Sequence, residues 1–350
     1  MKRIKTMKKV SFLGHFAFGV DKANGQTIKT KILGEELKRQ VGEDQVDFYD
    51  TMGKWLFVLK MPFILLHMLR NYQNVVVQPA YKGVRLIVPC LVLLNLFFHR
   101  KLHYIVLGGW LPSFVGKYPI LRWSLKRLDG MYCETHLIQN ELKALGLEKL
   151  MYLPNCKQLS ILDESELTTS SKAPFRVCTF SRVNQTKGIT EAIEAVNRIN
   201  KEKGKTIYTL DIYGLVEDEK WFRNLMDGQP DTIHYRGIIP YDQSVSVLRQ
   251  YFCLLFPSYH AGEGFAATMI DAYAAGLPPI ATRWRSNSEV VEDGVTGLLI
   301  TPHSVDELVG KLQEIAENPA IIDRMRPACV KRASQFQPSS AIAPLIQNLK

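Results

Sequence analysis

Residues 254–282, LLFPSYHAGEGFAATMIDAYAAGLPPIAT, carry the pattern that decides the fold. Their first apolar run, 254–256, ends at a Pro-Ser pair and predicts a buried strand. A loop with two glycines occupies 257–264, and 265–275 has helical composition and closes on a glycine suited to a C-cap. The next strand begins in 278–281. This order predicts a helix N-terminus at the carboxyl edge of a parallel sheet, where ligands bind in such folds.

Two carboxylates lie on either side of the start of this helix. Glu263 precedes it and Asp271 lies about two turns into it, which separates the carboxylates by about 10 Å. The first helical turn offers unpaired N–H groups and a partial positive charge that suit phosphate, and carboxylates accept hydrogen bonds from sugar hydroxyls. The stretch therefore predicts a site for a nucleoside diphosphate sugar. The alternative is an ordinary buried βαβ unit with a solvated acid at each end.

The spacing of Glu263 and Asp271 resembles the E-x7-E signature of GT-B glycosyltransferases, most of all that of glycosyltransferase family 4, with Asp in place of the second Glu. Residues 289–300, EVVEDGVTGLLI, are also similar to the usual continuation in that family. The resemblance covers nearly all of 174–320 and is architectural over 1–150. It implies an α/β fold of two doubly wound Rossmann-like domains that face a central cleft.

The rest of the chain alternates strand-like and helix-like runs, which predicts doubly wound parallel sheets. In the first part the expected strands are 10–13, 46–49, 75–78, 104–107, 131–133 and 151–153, and the expected helices are 26–40, 55–70, 84–99, 119–128 and 135–145. We predict an N-terminal acceptor-binding domain over 1–156, a polar linker over 157–174 and a nucleotide-sugar-binding domain over 175–325. By the resemblance, a helical tail over 326–350 crosses back to the first domain.

Two cations follow the first strand of the second domain. Arg182 suits a diphosphate through forked hydrogen bonds and Lys187 through its point charge, although both could be ordinary surface cations of a loop. The family has an Arg and a Lys at this spacing that bind the donor's phosphates. The resemblance thus implies that Glu263, Arg182 and Lys187 are catalytic, and that the donor contacts Asp271, Gly264, Phe265, Ala266, Gly237, Ile238, Ile239 and Gly214.

The acceptor side is expected in the first domain. The loop after the first strand, residues 14–26, corresponds to a loop that faces the cleft in the GT-B fold. After the fourth strand, where family members have a histidine, this chain has Gly108-Gly109-Trp110, so that His15 is a substitute only by its position. Trp110 could stack on a sugar ring or belong to the core. The cleft candidates are Gly14, His15, Gly25, Gln26, Gly109 and Trp110.

The positive charge of the chain is concentrated in its first part. Residues 1–150 contain 23 Lys and Arg against 11 Asp and Glu, and no acidic residue lies between Asp50 and Asp129. The same interval carries apolar runs at 55–69 and 84–98, which are too short and too interrupted to span a bilayer comfortably. They predict either two buried helices with a solvated basic face or a monotopic surface on anionic lipid. No nucleic-acid motif accompanies the charge, so no nucleic-acid partner is expected.

The sequence argues against several other classes of protein. The six cysteines are scattered without a C-x-x-C pair, which indicates reduced thiols in a cytoplasm rather than disulfides or a zinc site. Gly14 and Gly19 have the spacing of a phosphate-binding P-loop, but Val20-Asp21 stands where Lys-Ser/Thr is needed. No G-x-G-x-x-G follows the first strand, and the chain has no D-x-D motif. We read the basic N-terminal lead and the short apolar run after it as a first strand rather than a signal peptide.

The resemblance implies a retaining, metal-independent glycosyltransferase of hexosyl type that needs no cofactor besides its nucleotide-sugar co-substrate, and the lack of a D-x-D motif is consistent with this. The expected acceptor is a lipid-linked saccharide in the biosynthesis of a surface polysaccharide, such as capsule, lipopolysaccharide or exopolysaccharide. The expected location is the cytoplasm, peripheral at the anionic inner face of the plasma membrane. The alternatives are a GT-B nucleotide-sugar epimerase or hydrolase, which needs no acceptor, and a non-catalytic scaffold that docks to membranes.

Overall fold

A computed structural model of the chain describes residues 7–19, 25–52, 54–81, 83–169 and 172–349. The described chain divides into two compact units. The first unit combines Met1–Gln158 with Pro338–Lys350, and the second unit is Leu159–Gln337. Each unit contains one six-stranded parallel sheet with helices between the strands. The predicted α/β class is therefore confirmed.

The first sheet has all of its predicted strands. They are β1 (Lys8–Gly14), β2 (Val46–Asp50), β3 (Tyr72–Val77), β4 (Lys101–Ile105), β5 (Gly130–Cys133) and β6 (Leu150–Tyr152), in the sheet order β2-β1-β3-β4-β5-β6. The helices of this unit are α1 (Gly25–Val41), α2 (Lys54–Asn71), α3 (Val84–Asn95), α4 (Leu111–Lys117), α5 (Pro119–Leu125) and α6 (His136–Ala144).

Apolar side chains cover both faces of this sheet, as is usual for parallel strands. Leu65 of α2 and Leu91 of α3 belong to the cluster on one face. Leu33 of α1 belongs to the cluster on the other face. The helices of the unit are thus divided between the two sides, and the carboxyl ends of all six strands lie along one edge.

The second sheet repeats this architecture. Its strands are β7 (Phe175–Phe180), β8 (Tyr208–Tyr213), β9 (Ile233–Gly237), β10 (Cys253–Phe256), β11 (Pro279–Thr282) and β12 (Leu298–Ile300), in the order β12-β11-β10-β7-β8-β9. The accompanying helices are α7 (Ile189–Lys203), α8 (Glu219–Met226), α9 (Ser244–Leu248), α10 (Ala267–Ala274), α11 (Asn287–Val290), α12 (Val305–Glu317) and α13 (Ala320–Ala333). Two further apolar clusters cover its faces.

Two predicted helices of the first unit have different bounds. The helix expected over 84–99 ends at Asn95, because the side chain of Asn95 accepts a hydrogen bond from the Arg100 N–H (2.8 Å) and donates one to the Arg100 carbonyl (2.9 Å). This pair of bonds closes a turn in place of further helix. The helix expected over 119–128 is preceded by α4, which the sequence reading did not predict, and α5 itself ends at Leu125.

The segment predicted as a C-terminal tail, 326–350, is divided between the units. Arg326 is buried within α13 and donates hydrogen bonds to the carbonyls of Gly276 (3.0 Å) and Phe252 (3.1 Å), which ties this helix to the second unit. The change to the first unit follows at Pro338, where α14 (Pro338–Ala341) and α15 (Ala343–Asn348) pack against α1. Lys350 lies outside the described residues.

The predicted linker over 157–174 also lies largely on the second unit. The Leu162 N–H donates to the Ala274 carbonyl (3.0 Å), and Leu167 packs against the apolar cluster around Tyr273. Residues 170 and 171 of the linker lie outside the described residues, as do residues 20–24 of the predicted cleft loop. Among the helices that can be described, none is long and apolar enough to cross a membrane.

Candidate functional site

The strand order of the second sheet reverses between β7 and β10. From β7 the chain continues to β8 on one side, and from β10 it continues to β11 on the other side. In open α/β sheets, ligands bind in the crevice at the carboxyl ends of two such strands. The loops that follow β7 and β10 are residues 181–188 and 257–266, which contain the cations and the glutamate singled out in the sequence.

These two loops are packed directly on each other. The Tyr259 N–H donates to the Thr186 carbonyl (2.9 Å), and the Tyr259 hydroxyl donates to the Gln185 carbonyl (2.7 Å). Gly188 has φ 74°, and a Cβ there would lie 2.3 Å from the carbonyl oxygen of Pro257. Only glycine satisfies both the backbone conformation and this close approach.

The contact of the loops brings Lys187 and Glu263 together. Lys187 Nζ lies 2.6 Å from Glu263 Oε2, and the two side chains are only 7% and 8% exposed. Ser258 donates a second hydrogen bond to the same oxygen (2.8 Å). The other oxygen of Glu263, Oε1, has no hydrogen-bond partner within the described part of the chain, which leaves it able to accept a hydrogen bond from a ligand.

Helix α10 begins beside this ion pair. Its N-cap, Ala266, makes no side-chain cap, and the Met269 N–H donates to the Ala266 carbonyl (3.0 Å). The N–H groups of Ala267 and Thr268 have no side-chain cap and are the ones that suit an anion. Thr268 donates to the carbonyl of Phe180 and so ties the helix start to the end of β7. The ring of Phe265 packs in the core against Phe336, with ring centroids 4.8 Å apart. The donor contact predicted for Phe265 is therefore left to its backbone, next to Gly264.

Arg182 is more exposed than Lys187 and has a different partner. Its guanidinium lies 2.5 Å from Glu217 Oε1, and Asn184 donates to the other oxygen of Glu217 (2.7 Å). Burial raises the pKa of Glu217, but the hydrogen bond from Asn184 and the charge of Arg182 together hold this pKa below its ordinary value. An anion that bound Arg182 would therefore compete with the Glu217 carboxylate.

His260 was not predicted as a site residue, although it lies in the loop between β10 and α10. Its Nδ1 lies 3.0 Å from Thr186 Oγ1. Burial lowers the pKa of His260, and the charge of Lys187 lowers it further, whereas the charge of Glu263 acts in the opposite direction. The charge of Arg182 also lowers this pKa and that of Glu217 raises it, so both ion pairs influence the pKa of His260. In the sequence, only its position two residues before Gly262 could have indicated that His260 belongs to the site.

The loops after β8 and β9 bring further predicted residues to the same edge. Gly214 has φ 138°, its N–H donates to the Gly237 carbonyl (2.8 Å), and a Cβ there would lie 1.7 Å from the carbonyl oxygen of Ser181. Ile238 is exposed, and Ile239 packs partly against the core. The donor contacts of Gly237, Ile238 and Ile239 stay predictions.

Asp271 lies deeper than the sequence suggested. Its side chain is 2% exposed and accepts a hydrogen bond from the Ser244 hydroxyl of α9 (2.7 Å). A ribose hydroxyl would have to reach into this enclosed position. The donor contact of Asp271 stays a prediction.

The acceptor-side candidates of the loop after β1 lie at the carboxyl edge of the first sheet. Gly14 ends β1, and Gly25 and Gln26 begin α1. A Cβ on Gly14 would lie 2.6 Å from the Thr30 side chain. His15 Nδ1 lies 3.5 Å from the Thr51 hydroxyl. Their roles stay predictions.

Gly109 and Trp110 follow β4 at the same edge. The Trp110 ring packs edge-on against Tyr81 and Phe114, with centroid distances of 5.3 and 5.5 Å. The indole is therefore half-buried within an aromatic cluster, which favours the core interpretation over stacking on a sugar.

The first unit contains a buried ion pair that was not predicted from the sequence. Lys29 of α1 contacts Glu134, with both side chains almost inaccessible, and the Gly108 N–H donates to the other oxygen of Glu134 (3.2 Å). The fully buried amide of Gln78, just after β3, has no hydrogen-bond partner among the residues described. Polar groups are thus concentrated at this edge as well.

Comparison with known proteins shows that the second unit is similar to a family of glycosyltransferases. Residues 163–336 match the family model of glycosyl transferases group 1, which is about half of the chain. The D-inositol 3-phosphate glycosyltransferase of Streptomyces coelicolor is 32% identical over 116 residues, or 33% of this chain and 25% of that protein. The amylovoran biosynthesis glycosyltransferase AmsK of Erwinia amylovora is 25% identical over 227 residues, or 62% of this chain and 54% of that protein. The chain spans between a quarter and about half of the length of these relatives.

A solved structure matches nearly the whole chain. Anabaena HepE in complex with UDP aligns with a TM-score of 0.73 at 16% identity, over 97% of this chain and 99% of that one. At this level of identity the likeness establishes the fold. The two units are the two Rossmann-like domains of the GT-B class, as predicted.

Proposed function

We propose that this chain, whose residues 163–336 match glycosyl transferases group 1 and whose fold is GT-B, is a glycosyltransferase that takes a sugar from a nucleoside diphosphate sugar. The observation that carries the proposal is the buried pair of Lys187 and Glu263 at the strand-order reversal of the second sheet. A buried cation and a carboxylate with one unoccupied oxygen suit a ligand that combines a diphosphate with sugar hydroxyls.

Each group of the site has a place in donor binding. Lys187, Arg182 and the uncapped start of α10 carry the positive charge that a departing diphosphate needs, and such preorganised charge is commonly the largest contribution to catalysis. Glu263 Oε1 accepts a hydroxyl of the donor sugar. The backbone at Gly237 and Ile238 contacts the nucleobase. HepE binds UDP, so uridine nucleotides are the first donors to test.

The proposed transfer retains the anomeric configuration. The acceptor hydroxyl oxygen bonds to the anomeric carbon on the face from which the diphosphate leaves, the bond between that carbon and the diphosphate oxygen breaks, and the acceptor's proton passes to that oxygen. Lys187 and Arg182 take the charge-neutralising role that a divalent cation has in enzymes with a D-x-D motif. We therefore propose a metal-independent hexosyl transfer, and the Glu263-x7-Asp271 motif supports placement in family 4.

The acceptor belongs to the first unit in this proposal. AmsK is named for amylovoran biosynthesis, and the basic, acid-free interval 51–128 suits substrates held at an anionic membrane. We propose a lipid-linked saccharide acceptor in surface polysaccharide biosynthesis, with the protein in the cytoplasm and peripheral at the inner face of the plasma membrane.

A thermal-shift panel of UDP-, GDP- and ADP-sugars tests donor binding. A donor at a hundred times its Kd stabilises the folded protein by about 2.7 kcal/mol, which is a readily measured rise in Tm. Arg182→Ala should lose most of this shift. Arg198→Ala is the matched control, because Arg198 is also an exposed arginine in an ion pair, with Glu202 on α7.

Product analysis then identifies the reaction. Transfer of labelled sugar to a lipid extract, with no release of free sugar in its absence, supports the glycosyltransferase. Release of free sugar or of an epimer without acceptor would point to the hydrolase or the epimerase instead. If no nucleotide sugar raises the Tm, the proposal is wrong, and a non-catalytic scaffold becomes the better interpretation.

A further inference from the structure

Three helices of the first unit form one continuous layer. Helix α3 contacts α2 on one side and α5 on the other. Their inner side chains, among them Met61, Leu65, Leu91 and Leu121, share one apolar cluster over a single face of the sheet. Helix α1 and the C-terminal helices cover the opposite face. The outer surface of the α2, α3 and α5 layer is called the docking face below.

Large apolar side chains project from the docking face into solvent. Leu59 and Phe63 of α2 are 73% and 74% exposed, Ile120 of α5 is 72% exposed, and Phe97, just after α3, is 82% exposed. The same helices and the turn after α3 also expose Leu56, Val58, Leu86, Leu93, Leu96 and Trp123. Single exposed apolar residues are normal, but a group of this size on adjoining helices indicates an interaction surface.

The apolar residues of α2 form a stripe of their own. Positions 56, 59 and 63 are three and four residues apart, which places them on one side of the helix. The stripe formed by 61, 65 and 68 is buried in the core. Helix α2 is therefore apolar on two sides, and the core accounts for only one of them.

All charged residues that accompany these side chains are basic. Lys60, Arg85 and Arg122 are exposed on the three helices, and no acidic residue occurs anywhere in 51–128. The Arg85 guanidinium lies 3.9 Å from the ring centroid of Tyr118, and that of Arg127 lies 3.9 Å from the ring of Trp123. Aromatic rings beside cations are the usual composition of a protein surface at a membrane interface.

We infer that the docking face inserts its apolar side chains into the surface of an anionic bilayer while its lysines and arginines contact the lipid headgroups. Membrane contact would hold the enzyme where a lipid-linked acceptor resides. This role of the contact rests on the proposed function. A second copy of the chain does not fit, because pairing two docking faces would bring two acid-free, basic surfaces together. A water-soluble acidic protein would match the charges but leaves the stripe of Leu59 and Phe63 without a hydrocarbon environment.

Vesicle flotation tests the inference without donor or acceptor. The protein is mixed with vesicles of phosphatidylcholine alone, or of phosphatidylcholine with 30% phosphatidylglycerol. We expect strong binding to the second only, weakened by salt. Leu59→Ser/Phe63→Ser/Phe97→Ser should lower the partition coefficient more than tenfold. Lys60→Gln/Arg122→Gln should lower it about fivefold for each charge removed, whereas the charge-matched control Lys220→Gln/Arg223→Gln on α8 should bind as the wild type does.

Trp123 provides a local readout of insertion. Brominated lipids should quench part of the tryptophan fluorescence of bound wild type, and Trp123→Phe should lose that part. The inference is wrong if the wild type ignores lipid charge, if the triple serine variant binds normally, or if quenching is unchanged in Trp123→Phe. These outcomes are independent of the donor, because the triple variant should keep the thermal shift produced by a nucleotide sugar. Vesicle binding without any donor shift would overturn the proposed function and leave the docking face standing.

Discussion

Lys187 and Glu263 are 76 residues apart in the sequence, and their charged atoms lie 2.6 Å apart at a nearly inaccessible place where the strand order of the second sheet reverses. The pair comes from two different loops, and a glycine contact and backbone hydrogen bonds hold these loops together. A buried ion pair is weak evidence for stability, because the cost of desolvating both charges can exceed their attraction. Its position at the strand-order reversal is instead what the proposed donor site uses, and mutations of the pair separate that role from a structural one.

A double-mutant cycle separates the contribution of the Lys187–Glu263 pair to stability from its contribution to activity. Glu263→Leu leaves Lys187 buried without its carboxylate, and Lys187→Met does the reverse, so each single variant should lose about 3 kcal/mol of unfolding free energy. The double variant should recover most of this loss, because two apolar side chains can replace a buried pair without penalty. Urea unfolding measures all four proteins.

Sugar transfer should respond differently in the same cycle. All three variants should lose at least about a hundredfold in kcat, because removal of one preorganised group of an active site has this magnitude. Lys187→Met removes a charge beside the leaving diphosphate, and Glu263→Leu removes the acceptor of the sugar hydroxyl and the partner that positions Lys187. A double variant that regains activity along with stability would show that the pair is only structural.

Glu217→Gln should tighten donor binding. Glu217 occupies the guanidinium of Arg182 in the structure, so a diphosphate must displace it before it can pair with Arg182. Removing the negative charge while keeping the hydrogen bond to Asn184 should lower the Kd for the nucleotide severalfold at low salt, and less at high salt because of screening. Titration calorimetry measures both. A weaker Kd would mean that Glu217 orients Arg182 rather than competing for it.

His260 should make the protein sensitive to mild acid. Its pKa is lowered in the folded protein, mainly by burial and then by Lys187, whereas in the unfolded chain the imidazole has its ordinary pKa of about 6.5. Below about pH 7 the unfolded state therefore binds more protons than the folded state, and the free energy of unfolding decreases as the pH falls through the lowered pKa.

Replacing the imidazole should remove this contribution. The slope of unfolding free energy against pH, measured in urea between pH 7.5 and 5, should be smaller for His260→Asn than for wild type. The matched control is His99→Asn at an exposed position with φ 54°, a conformation that asparagine tolerates. Equal slopes for wild type and His260→Asn would contradict the expectation.

The sequence predicted which segments form the strands of the first sheet better than where those strands start. Strands β3 and β4 begin three residues before the expected bounds, at Tyr72 and Lys101. The added residues include Asn74 and His103, which a search for apolar runs excludes. Both are fully buried, and hydrogen bonds satisfy their polar atoms there. Asn74 donates to the Lys9 carbonyl, and the ring of His103 bridges Asn74 and Tyr132. Burial lowers the pKa of His103 to about 4, so the network is neutral.

The candidate site, too, could be predicted only where its residues follow a local pattern. Glu263, Lys187 and Arg182 could be chosen because each follows a recognisable strand and fits a known spacing. Glu217 and His260 lie in loops that have no periodicity, and their importance arises from contacts across the edge of the sheet. The aromatic environment of Trp110 and the enclosure of Asp271 also depend on packing between distant segments, which no local pattern encodes.

Gly188→Ala should damage the site more than its backbone strain alone explains. Gly188 and Gly228 have nearly equal positive φ values, 74° and 69°, but a Cβ on Gly188 would lie 2.3 Å from the carbonyl oxygen of Pro257, whereas a Cβ on Gly228 would meet nothing within 4 Å. Gly228→Ala should therefore cost only the left-handed conformation, about 1–2 kcal/mol of unfolding free energy. Gly188→Ala adds a clash with backbone, which must push the loop that carries Lys187 away from the loop that carries Glu263. We expect a larger loss of unfolding free energy, and a loss of the donor thermal shift that Gly228→Ala retains. Equal behaviour of the two variants in both assays would mean that the close approach of the loops does not hold the pair in place.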